Sequence, residues 1–159
     1  MTYPSSILFV CLGNICRSPA AEAVMATKIA NARLPIRLDS AGTANYHTGN
    51  PPDTRSIKVG RSLGYDLSSL RARQISVVDF YEFELIFAMD ESNLANLSKL
   101  RTQAEQLADG RTVARLQLFD PTGKAVADPY YGDESDFVAM YAHLESVADQ
   151  HLIAWQAHQ

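Results

Sequence analysis

The chain alternates short apolar runs with longer segments in which apolar residues return every third or fourth position. Ile7-Leu8-Phe9-Val10 is apolar at consecutive positions, so Ser6 to Val10 predicts a parallel strand buried on both faces. From Pro19 to about Arg33 the sequence is alanine-rich and predicts a helix, ended before Pro35 because the residue preceding a proline is pushed out of helical geometry. Ile36-Arg37-Leu38-Asp39-Ser40 alternates and predicts a second strand, closing a βαβ unit with the usual right-handed crossover. Residues 41–50 then predict a loop. Asn50-Pro51-Pro52-Asp53 predicts a helix start with Gly64 as its stop, and Ser76-Val77-Val78-Asp79 has the form of a capping box for a short helix.

Leu85-Ile86-Phe87-Ala88-Met89 is apolar throughout and predicts a central parallel strand. Another helix is predicted from Asp90, and Val113 to Leu118 alternates as a fourth strand before the turn Asp120-Pro121-Thr122-Gly123. From Asp133 onward, Phe137, Met140, Tyr141, Leu144, Val147, Leu152 and Trp155 fall on one helical face, the stripe of a long helix packed on a core. The pattern predicts a single α/β domain over residues 1–159. Its expected architecture has three layers, a central four-stranded parallel sheet flanked by helices on both faces.

Composition narrows the partners. A length of 159 residues suits one domain with a substantial core, and 47% hydrophobic with 20% charged residues is ordinary for a globular chain. The net charge of −4 offers no broad attraction to nucleic acid or an anionic membrane. Met1 to Ser6 has no basic leader, and the apolar run that follows is too short for a signal or a membrane span, so a cytoplasmic location is expected. Both cysteines lie in one loop, which does not suit a secreted disulfide scaffold. His47, His143, His151 and His158 stand at no familiar ligand spacing to the cysteines, so neither a metal nor a cofactor is expected. Oligomeric state is not encoded in any pattern, and a monomer is the default expectation.

The chemistry concentrates after the first strand, in Val10-Cys11-Leu12-Gly13-Asn14-Ile15-Cys16-Arg17-Ser18-Pro19. A strand that runs through a short loop into a helix aims several backbone N–H groups at one point, and that point attracts an anion. Gly13 and Asn14 accept the backbone conformations that turn successive amides inward. Ser18-Pro19 has the form of an N-cap followed by the first helical residue. Cys11, at the strand end, is placed where the loop amides, the helix N-terminus and Arg17 all favour its thiolate. Arg17 offers a planar fork for two oxygens of a phosphoryl group. The spacing Cys-x5-Arg-Ser thus predicts a covalent phosphoryl-transfer site that needs no metal.

The string VCLGNICRSPAAEAV resembles the signature of the low-molecular-weight protein tyrosine phosphatases. Further likenesses are Asp39 to Thr43, Gly49 to Asp53, Ala72-Arg73-Gln74-Ile75, Met89 to Asn93, and Asp128-Pro129-Tyr130-Tyr131-Gly132-Asp133, so the resemblance runs through most of the chain. It implies hydrolysis of phosphotyrosine in a protein or peptide, with Cys11 as nucleophile, Arg17 on the phosphate and Asp128 as general acid and then base. Leu12, Gly13, Asn14, Ile15, Cys16 and Ser18 would form the substrate loop, and Tyr46, His47, Tyr130 and Tyr131 the cleft walls. Ser40 would buttress the loop through Asn14. A tyrosine kinase is a candidate partner.

Several residues carry two readings. Cys16 either pairs with an oxidised Cys11 as a reversible disulfide or packs behind the loop. His47 either lines the cleft or is an ordinary exposed histidine. Asp90 reads as a helix cap in preference to a member of the loop network. Arg71 and Arg73 read most simply as solvated or structural charges, with a phosphopeptide contact as the other reading. Leu70 departs from the family, many of whose members carry a loop-supporting histidine at that position. Two other functions compete: an arsenate reductase of the same fold, which needs cysteines beyond Cys11 and Cys16, and a non-catalytic phosphotyrosine-binding module, which needs neither Cys11 nor Asp128. A phosphoarginine-directed branch carries threonine where Ile15 stands.

Overall fold

A computed structural model describes residues 3–157, leaving Met1, Thr2, His158 and Gln159 outside the described residues. Four parallel strands, β1 (Ser6–Cys11), β2 (Arg37–Gly42), β3 (Leu85–Ala88) and β4 (Arg115–Leu118), form one sheet in the order β2-β1-β3-β4. Five helices connect and cover them: α1 (Arg17–Asn31), α2 (Thr54–Ser62), α3 (Asp79–Glu82), α4 (Glu91–Gln106) and α5 (Glu134–Gln156). Strand periodicity divides the core. Ile7, Phe9, Leu85 and Phe87 pack with α1, α2 and α5, while Leu8, Val10, Ile86 and Ala88 pack with α3 and α4. The expected three layers are present.

Order matters for function because the chain leaves β1 toward β2 on one side and later returns to β3 on the other. The carboxyl ends of β1 and β3 flank the switch point, where open α/β sheets bind their ligands. Residues that follow β1 and β3 are therefore brought together there. Among the described residues no helix is long and apolar enough to cross a membrane, and no group of three or more His, Cys, Asp or Glu residues is placed to hold a metal ion.

Element boundaries differ from the periodic pattern for identifiable reasons. β2 runs on through Ala41 and Gly42, two residues expected in the loop, because it stays in register with β1 up to Cys11. Gly42 permits this close approach: a Cβ there would lie 2.7 Å from the Leu12 carbonyl oxygen. α1 begins at Arg17, with Cys16 at the cap position and no side-chain capping bond. Ser18 is consequently inside the helix, and the expectation that it caps is corrected. Its hydroxyl is engaged with Cys11 instead. α3 likewise starts at Asp79, with half of the expected box present, since Asp79 Oδ2 accepts from the Ser76 amide at 2.9 Å.

Candidate active site

The position expected to hold the nucleophile is built from buried groups. Cys11 ends the fully buried strand β1, and its Sγ accepts the Asn14 N–H at 3.3 Å and lies 3.0 Å from Ser18 Oγ. Asn14 adopts φ 57°, a left-handed conformation that asparagine tolerates better than most residues. Its side chain is fully occupied: Nδ2 donates to Ser18 Oγ at 2.8 Å and to Ser40 Oγ at 3.0 Å, while Oδ1 accepts the Arg73 amide at 3.0 Å. The Ser18 hydroxyl accepts from Asn14 and lies within donating reach of Sγ at 3.0 Å and of the Ala41 carbonyl at 3.4 Å. The expected Asn14–Ser40 support is present and is complete without a histidine at position 70. Leu70 instead packs against the apolar cluster under α1 and α5.

Arg17 is 4% exposed, although the pattern predicted only that it faces a phosphate. Its Nη1 donates to Asp90 Oδ2 at 2.6 Å and to the Val126 carbonyl at 3.2 Å. Burial opposes its charge, yet Cys11, Asp90 and Asp128 raise its pKa above the usual arginine range. Asp90 uses its other oxygen to cap α4, Oδ1 accepting the Asn93 N–H at 2.7 Å. Asp90 is therefore both a cap and an anchor of the loop arginine, and the preference for the cap alone is corrected. One ion pair thus bridges the residues following β1 and β3, across the switch point.

Asp128 enters from the loop after β4. Its Oδ2 lies 3.7 Å from Arg17 Nη2, and Oδ1 accepts the Tyr130 amide at 3.1 Å. Together with Cys11 and Arg17 it lines a cleft whose walls include Leu12, Ile15, Tyr46, His47, Tyr130 and Tyr131. The expected cleft residues are thus gathered, with two exceptions. The side chains of Asn14 and Ser18 are buried behind the loop, where Asn14 holds the Ser18 hydroxyl that lies against the Cys11 sulfur. His47 does belong to the wall: a Cβ added to Gly13 would lie 3.0 Å from its ring, which faces Tyr130 at 6.3 Å between centroids. Tyr130 and Tyr131 meet edge to face, 4.9 Å apart.

The second cysteine differs from the first. Cys16 is buried, and burial together with Asp53, Asp128 and Cys11 pushes its thiol well above the usual cysteine range, with Arg55 acting weakly the other way. Cys11, by contrast, has the Asn14 N–H aimed at its sulfur.

Two arginines are fasteners: Arg55, which the sequence did not single out, and Arg73, read there most simply as a solvated or structural charge. Arg55, in α2, grips Asp53 through Nε at 3.0 Å and Nη2 at 2.9 Å, and also donates to the carbonyls of Tyr130 at 2.8 Å and Gly132 at 3.1 Å. The Asp53 amide in turn donates to the Ile15 carbonyl at 2.9 Å. A continuous path therefore runs from the phosphate loop through Asp53 and Arg55 to the loop carrying Asp128. Arg55 also holds the Asp53 carboxyl below the usual aspartate range. Arg73 joins Asp79 through two parallel bonds of 3.1 and 3.0 Å and reaches Asp39, which makes it structural, as its simplest reading had it. Arg71 donates to the carbonyls of Ser68 and Leu70.

The same arrangement of sequence and fold recurs in known proteins. The family model for low molecular weight phosphotyrosine protein phosphatase matches residues 6–158. A Schizosaccharomyces pombe protein of that description is 41% identical over 152 residues, covering 91% of this chain and 92% of its own. Among solved structures, a protein tyrosine phosphatase from Entamoeba histolytica superimposes with a TM-score of 0.80 at 42% identity, covering 93% of this chain and 94% of that one. A Drosophila arginine phosphatase superimposes with a TM-score of 0.83 at 32% identity, covering 92% and 94%. With the match extending from the first strand to the end of the last helix, the chain belongs to the low molecular weight phosphotyrosine protein phosphatase family.

Proposed function

We propose that this protein hydrolyses phosphotyrosine in proteins or peptides through a phosphocysteine on Cys11, without a metal. The observation that carries the reading is the pairing, in one cleft, of a sulfur held by an amide and a hydroxyl with a buried arginine and a carboxylate 3.7 Å from that arginine.

In the first step the Cys11 thiolate attacks phosphorus, an S–P bond forms, and the bond to the phenolic oxygen breaks. Asp128, protonated, gives its proton to that oxygen. Positioned acids contribute roughly 10²–10⁴-fold to such steps. In the second step water attacks phosphorus, the Asp128 carboxylate takes its proton, and the S–P bond breaks to return the thiolate and release inorganic phosphate. The Ser18 hydroxyl and the Asn14 amide hold negative charge on sulfur in both directions. Arg17, fixed at Nη1 by Asp90 and Val126, keeps its Nη2 edge for the phosphoryl oxygens.

Substrate choice follows from the walls. Ile15, Leu12 and the ring of Tyr130 offer apolar and aromatic surface to a flat phenyl ring. Ile15 brings no hydroxyl to the position where the phosphoarginine-directed branch carries threonine. A phosphorylated protein in the cytoplasm, the product of a tyrosine kinase, is the fitting partner for a monomeric enzyme of this kind. The test is turnover of para-nitrophenyl phosphate in EDTA with rapid mixing. A burst of phenolate and a phosphorylated Cys11 peptide by mass spectrometry are expected, whereas no turnover, or turnover only with added metal, overturns the reading.

A further inference from the structure

Beside the cleft lies a second, roomier depression that the chemistry above does not use. It runs between the segment after β2 and the exposed side of α4, and it shares Leu12 and Tyr46 with the catalytic cleft. Its apolar floor is Ile75, Leu97 and Leu100, and its rim carries Gln74 and Asn96 as hydrogen-bonding groups. Lys99 is the charged residue lining it, is exposed, and makes no ion pair among the described residues. Gln74 Nε2 donates to the Thr43 carbonyl at 3.2 Å.

We infer that this groove receives the residues flanking the phosphotyrosine of a protein substrate and favours an acidic side chain there, through Lys99. The inference rests on the phosphotyrosine reading. A phosphotyrosine whose ring enters the cleft has main chain on both sides of it, and that chain must leave over the cleft rim. Leu12, 43% exposed, and Tyr46, 73% exposed, form the part of the rim common to both depressions, so chain leaving over them passes directly into the groove. There the side-chain amides of Gln74 and Asn96 suit an extended backbone, and Ile75 and Leu97 accept apolar side-chain surface. An unpaired lysine on an otherwise uncharged wall selects by charge. Its protein has a net charge of −4, so Lys99 is also a local exception that reduces repulsion of an acidic segment.

The experiment compares two short phosphotyrosine peptides, identical except for Glu or Gln at the positions flanking the phosphotyrosine, with para-nitrophenyl phosphate as the substrate that cannot reach the groove. For the unmodified enzyme the Glu peptide is expected to have the higher kcat/KM, by up to about fivefold, the upper end of what a single exposed charge pair supplies, and the difference should lie in KM. Lys99→Glu should abolish or invert that preference, and Asn96→Trp, which narrows the groove, should raise KM for both peptides. Neither should change turnover of para-nitrophenyl phosphate. Equal treatment of the two peptides by the unmodified enzyme, a preference that survives Lys99→Glu, or unchanged peptide KM in Asn96→Trp would each overturn the inference. Failure of the phosphatase reading itself would show separately, as absent turnover of para-nitrophenyl phosphate.

Discussion

Cys11 is 3% exposed and the polar groups around it satisfy one another, Asn14 with Ser18, Ser40 and the Arg73 amide, whereas the side chain of Asp128 is 43% exposed and its loop is tied down mainly through two arginines, Arg17 at Val126 and Asp128 and Arg55 at Tyr130 and Gly132. The phosphate loop is part of the core. Its geometry is fixed by bonds that would be costly to leave unmade, since a buried donor or acceptor without a partner costs roughly 1–3 kcal/mol. The acid loop is fixed by Arg55, itself partly exposed, and by the Val126 amide, which donates to the Met89 carbonyl at 2.9 Å. The contrast fits the chemistry. A nucleophile must wait in one place, while an acid must let substrate enter and product leave.

That contrast can be broken at several points. Cys11→Ser should abolish turnover while retaining binding of phosphate or vanadate, measured by calorimetry; turnover comparable to the original would remove Cys11 from the chemistry. For Asp128→Ala the expected loss is roughly 10²–10⁴-fold with phenyl phosphate, a poor leaving group, and much smaller with para-nitrophenyl phosphate. Equal losses with both would remove its role as acid.

Asn14→Ala should lower stability and kcat together, because it leaves Ser40, Ser18 and the Arg73 amide without their partner, at roughly 1–3 kcal/mol for each group left unpaired. Here the rate loss should be the same for good and poor leaving groups, and a leaving-group dependence would contradict the separation of the two loops. Arg55→Ala should behave like a mild Asp128 variant, with kcat for phenyl phosphate reduced roughly 10- to 100-fold by misplacement of the acid, partial recovery in Arg55→Lys and little change in Tm. An Arg55→Ala enzyme with unaltered leaving-group dependence would show that the loop needs no fastening.

The smallest effect concerns pH. Glu22, on α1 behind the phosphate loop, has a buried Oε1 without a hydrogen-bond partner. Burial raises its carboxyl above the usual glutamate range, Asp39 adds to the rise, and Ser40 and Arg73 oppose it. A folded-state pKa above the unfolded value, about 4.3, means the folded chain holds this proton longer, so the associated stability is present below that value and is lost as pH rises through the folded pKa. Glu22→Gln should therefore raise Tm by a few degrees near neutral pH and by less near pH 4, about the ordinary glutamate pKa. A Tm difference independent of pH would dismiss Glu22 as the source.

What was legible in the sequence was what is contiguous. Strand, loop and helix succeed one another from Ser6 to Asn31, so Cys11 and Arg17 could be placed by spacing and turn chemistry alone. The alternating and apolar runs likewise marked all four strands. Ser18 misled because Ser-Pro is a cap signature whenever nothing else claims the hydroxyl, and here a sulfur does. For Asp90 the cap was preferred to the loop network because its second oxygen bonds an arginine 73 positions away. Arg55 left no signal, since its partners in the acid loop are backbone carbonyls and any residue supplies those.

The two oxygens of Asp90 tie α4 to Arg17, and α4 is the helix that carries Asn96 and Lys99. The place where phosphate would rest and the place where flanking residues would lie are thus joined by one stiff element. Such a connection works as a ruler: a substrate is measured by the interval between its phosphate and its neighbouring side chains, and a chain with the right groups at the wrong interval would satisfy one end only.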